Sequence, residues 1–119
     1  MILSQIDALL IGKPKPFRAD GTMSAMARTA VDRPVFLRKH GFEGDEVADL
    51  TVHGGADKAV HFYPAEHYPK WIAHFAGEGF VHPLLDQAGA FGENITASGL
   101  TEDSLRIGDR FRIGRALVE

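Results

Sequence analysis

The chain has 119 residues, the size of one compact domain and too short for two well-developed ones. With 45% hydrophobic residues, 24% charged residues and 13 bases against 16 acids, its composition excludes collagen, coiled coil and disorder, and the net charge of -3 argues against a broad basic face for nucleic acid. Cysteine is absent, so these residues offer no disulfide framework, no cysteine-based zinc site and no thiol nucleophile, and only six histidines and the carboxylates remain as metal ligands.

No window approaches the ~20 apolar residues of a membrane span. Met1 to Ile11 also lacks the basic leader and small-residue cleavage site of a signal peptide, so a cytoplasmic protein with no membrane partner is expected. Ile2, Leu3, Ile6, Leu9, Leu10 and Ile11 form a dense apolar opening that stops at Gly12-Lys13-Pro14-Lys15-Pro16. Its spacing would also suit a short helix, but its length and lack of a cap favour a buried strand. Pro16 to Arg33 is polar and rich in small residues, which predicts a long loop. Pro34 to Arg38 reads as a strand with proline at its start. Turn residues punctuate Gly41 to Gly55, and Val60 to Tyr63 is a short candidate strand. Tyr68, Trp71, Ile72 and Phe75 recur at helical intervals and predict a helix over Pro64 to Ala76, with Pro69 in its first turn and Gly77 and Gly79 ending it. Asn94-Ile95-Thr96 is a further strand. Apolar residues at 105, 107, 111 and 113 predict a hairpin of Leu105–Ile107 with Arg110–Ile113 around a Gly108-Asp109 turn, before Ala116–Val118. Short strands with one helix suggest a mainly β, α+β domain: a small mixed β-barrel or curled sheet with the helix at one side.

Four constellations could carry chemistry. Gly54-Gly55 can expose backbone N–H groups to an oxyanion or phosphate, with His53 and Lys58 beside them as donors, or can simply form a tight turn between strands. Glu93 and Asn94, after Phe91-Gly92, could read an amide or pterin-like edge, or could cap their own turn. Arg28, with Arg33 nearby, could reach an anion bidentately. Gly41-Phe42-Glu43-Gly44-Asp45, with Asp49, reads as turn chemistry or as acids that order His53 or Lys58. Other chemistries are weaker. His67 and His74 lie almost two turns apart on one helix and would need a third metal ligand from elsewhere, while none of Ser4, Ser24, Ser98 and Ser104 lies in a Gly-x-Ser-x-Gly elbow.

Read together, Gly44-Asp45-Glu46-Val47-Ala48-Asp49, His53-Gly54-Gly55-Ala56-Asp57-Lys58-Ala59-Val60, Tyr63-Pro64-Ala65-Glu66-His67-Tyr68 with Trp71, and Phe91-Gly92-Glu93-Asn94-Ile95-Thr96 with Gly99-Leu100 and Ile107-Gly108-Asp109 resemble the MOSC family. That family is named from the C-terminal domain of molybdenum cofactor sulfurase, and the resemblance is to its stand-alone bacterial members, over nearly the whole of a single domain, 1–119. It implies a barrel-like β fold with a cleft for molybdenum cofactor, a molybdopterin carrying a phosphate and an oxo-molybdenum centre. It also implies one of two activities: reduction of N-hydroxylated compounds by a molybdenum-dependent oxidoreductase, or sulfur carriage for metal–sulfur cofactors. On these blocks Arg28, His53, Gly54, Gly55, Lys58, Glu93 and Asn94 fall in the cofactor cleft, with Arg28 and Lys58 on the phosphate, Asn94 on the pterin and His53 as an orienting or proton-donating catalytic group. In the family the last strand, here Gly114 to Glu119, continues into a Pro-Arg-x-Pro-Cys segment whose cysteine is the expected metal ligand or persulfide carrier. The present residues are expected to form the domain short of that segment. The alternative is a non-catalytic binding or structural remnant of the fold, pairing through its last strand with a second copy as a homodimer.

Overall fold

A computed structural model describes residues 4–12, 15–16, 23–24, 28–46 and 56–119. Its strands are β1 (Gln5–Ile11), β2 (Lys15–Pro16), β3 (Met23–Ser24), β4 (Thr29–Val31), β5 (Leu37–Arg38), β6 (Gly41–Phe42), β7 (Phe62–Pro64), β8 (Ile95–Ser98), β9 (Phe111–Ile113) and β10 (Ala116–Val118), with one α-helix, α1 (His67–Gly77). The principal sheet has the order β4-β1-β8-β7, and β2-β3, β5-β6 and β9-β10 form two-stranded ribbons. The architecture is mainly β with one helix. Of the small mixed β-barrel or curled sheet expected, no closed barrel is seen among the described residues, where the largest sheet is open and four-stranded.

The apolar opening does form a strand, and its position explains its composition. β1 runs between β4 and β8, antiparallel to both, so Leu10 and Ile11 at its inner end are buried. A register shift at Asp7 separates this half from the exposed N-terminal half, as an extra residue in one strand does. Ile11, Phe42, Ile95 and Ala97 make the core, with Leu9, Val31, Val35, Leu37, Val60, Phe62 and Ile113 packed around them. β8 pairs with β7 in parallel, matching Phe62 with Ile95 and Pro64 with Ala97. A parallel pair cannot be closed by a tight turn, so the chain between them makes a crossover, and α1 is that crossover.

Several sequence expectations are corrected. The long loop over Pro16 to Arg33 contains β4, whose residues Thr29, Ala30 and Val31 pair with Ile11, Leu10 and Leu9. Too few of them are apolar to show a strand pattern, and it is the ladder of β1 that draws them in. The strand expected at Pro34 to Arg38 shrinks to Leu37–Arg38, paired with Gly41–Phe42. Leu105–Ile107 is not a strand, and the hairpin lies one step later, β9 with β10 around Gly114-Arg115. Asp109 accounts for this: its carboxylate accepts the Arg106 N–H at 2.9 Å and its own N–H donates to the Arg106 carbonyl at 3.0 Å, which uses the backbone groups a ladder would need. Ile107 is left fully exposed despite its fit to the alternation. In α1 only Tyr68 of the apolar stripe is buried, while Trp71 and Ile72 remain more than a third exposed, because the helix rests on the segments after it rather than on the sheet core.

Gly41 allows a test of this packing. It has φ +133°, and a Cβ there would lie 3.0 Å from the Ala59 carbonyl oxygen, whereas a Cβ on Gly108, at φ +92°, would meet nothing within 4 Å. Gly41→Ala is therefore expected to lower unfolding free energy by about 1–3 kcal/mol. Gly108→Ala, strained in φ alone, should lose less in the same urea titration.

Candidate functional site

The sequence brings a carboxylate, a guanidinium and an amide to one buried point. Asp45, just after β6, receives the Gly12 N–H at 2.8 Å and Arg28 Nε–H at 2.7 Å on Oδ1. Its Oδ2 receives Arg28 Nη2–H at 3.2 Å and Asn94 Nδ2–H at 3.0 Å. Arg28 Nη1–H donates to the Gly92 carbonyl at 2.5 Å. The Arg28 and Asp45 side chains are only 9% and 4% exposed, so this is a largely desolvated ion pair in which each side-chain nitrogen and oxygen has at least one partner. Asn94 completes the cluster. Its Nδ2 also donates to the Leu10 carbonyl at 3.2 Å, and its Oδ1 accepts the His61 N–H at 3.0 Å, while its own N–H donates to the His61 carbonyl at 2.8 Å.

A second network lies beside the first. Glu93 is fully buried. Its Oε2 accepts from Tyr68 Oη at 2.5 Å and from Thr96 Oγ1 at 2.8 Å, and its Oε1 accepts the Phe91 N–H at 3.1 Å. The Tyr68 hydroxyl in turn accepts the N–H groups of Gly89 and Ala90 at 3.0 and 3.1 Å. Burial pushes the Glu93 carboxyl up, but the bonds from Tyr68, its own backbone, Thr96 and Phe91 together outweigh burial and hold it below the usual carboxylate range. Burial, reinforced by the bond to Glu93, pushes the Tyr68 phenol up to about 12. Tyr63 stacks on Phe91 at 4.2 Å between centroids and accepts the Trp71 Nε1–H at 3.0 Å, which packs α1 against the same segment.

Of the residues singled out from the sequence, Arg28 and Asn94 meet in the first network and Glu93 anchors the second. Lys58 is exposed on a short 3-10 turn, Ala56–Lys58, three residues before the His61 peptide that Asn94 clamps. His53, Gly54 and Gly55 lie outside the described residues. Two members were not singled out as ligand-cleft residues. By sequence Asp45 reads mainly as turn chemistry and Tyr68 as one member of an apolar stripe, since neither the burial of Arg28 nor the inward turn of the Tyr68 hydroxyl is a local feature. A cavity of about 320 Å³ adjoins the first network, lined by Arg38, His40, Phe42, Glu43 and Asp45. Among the described residues no group of three or more histidine and carboxylate side chains is placed to hold a metal.

This donor set tests the fit to a phosphorylated pterin. The polar atoms of Arg28, Glu93 and Asn94 are bonded inside the protein, so these three side chains fit the frame of a ligand cleft rather than its direct contacts. Lys58 has the charge and exposure for a phosphate. Asp45→Ala is expected to destabilise by about 3–5 kcal/mol, because it leaves the Arg28 charge buried without a partner, whereas the paired change Asp45→Leu with Arg28→Met should cost markedly less in urea unfolding. The second network sets the pH dependence. The native Tyr68 phenol titrates near 12 against about 10 when unfolded, so its contribution is complete below about pH 10 and is lost as pH rises towards 12; Tyr68→Phe should remove that alkaline step. The depressed Glu93 group contributes above the ordinary carboxylate range and loses its contribution as pH falls through and below that range; Glu93→Gln should flatten the acid limb of the stability curve.

With the geometry established, comparison with known proteins becomes informative. The chain is 45% identical over 114 residues to YflK, an uncharacterised protein of Bacillus subtilis, covering 94% of this chain and 48% of that one. It is 38% identical over 91 residues to a Gibberella moniliformis protein named "Reductase", covering 76% of this chain and 15% of that one. The crystal structure of YiiM from Geobacillus stearothermophilus superposes with a TM-score of 0.66 at 35% identity, over 96% of this chain and 48% of that chain. The chain thus spans about half the length of YflK and of the solved YiiM, and a smaller share of the fungal protein. The MOSC domain family model matches residues 49–119, more than half of the sequence, and the chain belongs to the MOSC domain family.

Proposed function

We propose that this chain forms a molybdenum cofactor-binding part of a MOSC protein acting as a reductase of N-hydroxylated compounds. The observation that carries the reading is the clamp on His61. Asn94 holds both the N–H and the carbonyl of that residue, and Asn94 is itself tied to Asp45 and Leu10 in the buried frame. The turn that ends at Lys58 is therefore tied to a fixed point of the core three residues away.

In this reading Lys58 places its ammonium on the cofactor's phosphate, and the Gly54-Gly55 N–H groups cradle the same anion. His53 orients the ligand or donates a proton. Arg28, Glu93 and Asn94 serve the site by fixing the backbone around it. Bound molybdenum cofactor supplies the two-electron redox centre, and the chain's residues supply binding, orientation and charge. Reduction is favoured over sulfur carriage because a relative bears the name "Reductase".

The protein, purified from cells that make the cofactor or incubated with released cofactor, is expected to retain molybdenum and pterin fluorescence. Lys58→Ala should retain at least about tenfold less at unchanged melting temperature, the loss of one charge-assisted contact. Retention by the unaltered protein no higher than by Lys58→Ala would overturn the reading.

A further inference from the structure

We infer that Tyr68 is a positioning residue for Arg28, acting on it through the Gly89–Asn94 segment. The chain of contacts is continuous. The Tyr68 hydroxyl takes the Gly89 and Ala90 N–H groups and gives its own proton to Glu93, whose carboxylate takes the Phe91 N–H, so three consecutive amides are pinned to one phenol–carboxylate pair. The Gly92 N–H closes the turn on the Gly89 carbonyl at 3.0 Å. The Gly92 carbonyl is then committed to Arg28 Nη1.

Neither end of this segment has slack. Gly89 sits so close to β1 that a Cβ on it would lie 2.9 Å from Leu10 Cδ2 and 3.5 Å from the Arg28 carbonyl oxygen. Asn94 is held by Leu10, Asp45 and His61. Arg28 is a planar fork with Nε and Nη2 fixed on Asp45, so it cannot swing to follow Gly92 without breaking those bonds. If the turn shifts, a guanidinium N–H loses its acceptor, which is unfavourable for a side chain only 9% exposed. The helix α1 thereby sets the position of the guanidinium, although the ion pair itself is built from β1, β6 and the segment before β4. Tyrosine, not merely an aromatic ring, is needed at position 68, since phenylalanine would delete two acceptor contacts and one donor contact together.

The inference rests on the proposed cofactor reading only in what the Arg28–Asn94 frame surrounds. Its test needs no ligand, so failure of one is visible separately from failure of the other. In isotope-labelled protein the Arg28 Nη1–H signal is followed for exchange with solvent. Tyr68→Phe is expected to speed that exchange about tenfold, the shift that loss of one net hydrogen bond produces. Tyr63→Phe removes a hydroxyl from the same ring cluster, where among the described residues it accepts from Trp71, and should leave Arg28 unchanged. Thr96→Val, which deletes one donor to Glu93 and nearly preserves shape, should give a smaller acceleration and carries the test if Tyr68→Phe does not fold. An unchanged Arg28 signal in folded Tyr68→Phe or Thr96→Val protein, or an equal acceleration in Tyr63→Phe, would overturn the proposal.

Discussion

The interaction on which the rest of the structure depends is the desolvated pair of Arg28 and Asp45. Burying two charges is favourable only when their remaining hydrogen-bonding positions are also filled. Here Gly12, Gly92 and Asn94 add to the pair's own bonds, so that each of its side-chain nitrogens and oxygens has a partner. The requirement ties the end of β1, the residue before β4, the turn after β6 and the segment entering β8 to a single point. Because β1 and β8 are the central strands of the sheet, the pair fixes where its surrounding loops begin.

The second constraint is the parallel pairing of β7 and β8. It forces a crossover through α1, and the returning segment must pass under the helix before it enters β8. Tyr68 meets that segment with a buried hydroxyl and Glu93 meets it with a buried carboxylate, so the turn at Gly89–Gly92 is bonded on one side to the helix and on the other to the ion pair. Two polar networks that would each be hazardous if half satisfied are both closed, and they share this stretch of backbone.

This arrangement divides labour within the site. An arginine, a glutamate and an asparagine look like ligand-binding residues by type, yet their polar atoms are committed to the protein. What Asn94 fixes is the backbone at His61, three residues after Lys58. Membership of the MOSC family and the likeness to YiiM agree with a mainly β scaffold of this kind.

Much of this was legible in the residues themselves. The apolar run to Ile11, the helical spacing of Tyr68, Trp71 and Phe75 and the order of the four MOSC-like blocks are local features, set by propensity and periodicity along the chain. Where local features competed, the reading failed: Ile107 fits an alternation but Asp109 closes a turn, and Thr29–Val31 is too polar to show itself as a strand until β1 pairs with it. The sequence by itself determined the mainly β class, the one helix, the family and the absence of a thiol in these residues. Only the tertiary structure decided that Asp45 is the partner of Arg28, 17 residues away, and of Asn94, 49 residues away, and that Tyr68 turns a polar group inward. The reason is physical: a side chain's type tells what bonds it can make, but which of them it makes depends on the groups that other elements bring to it.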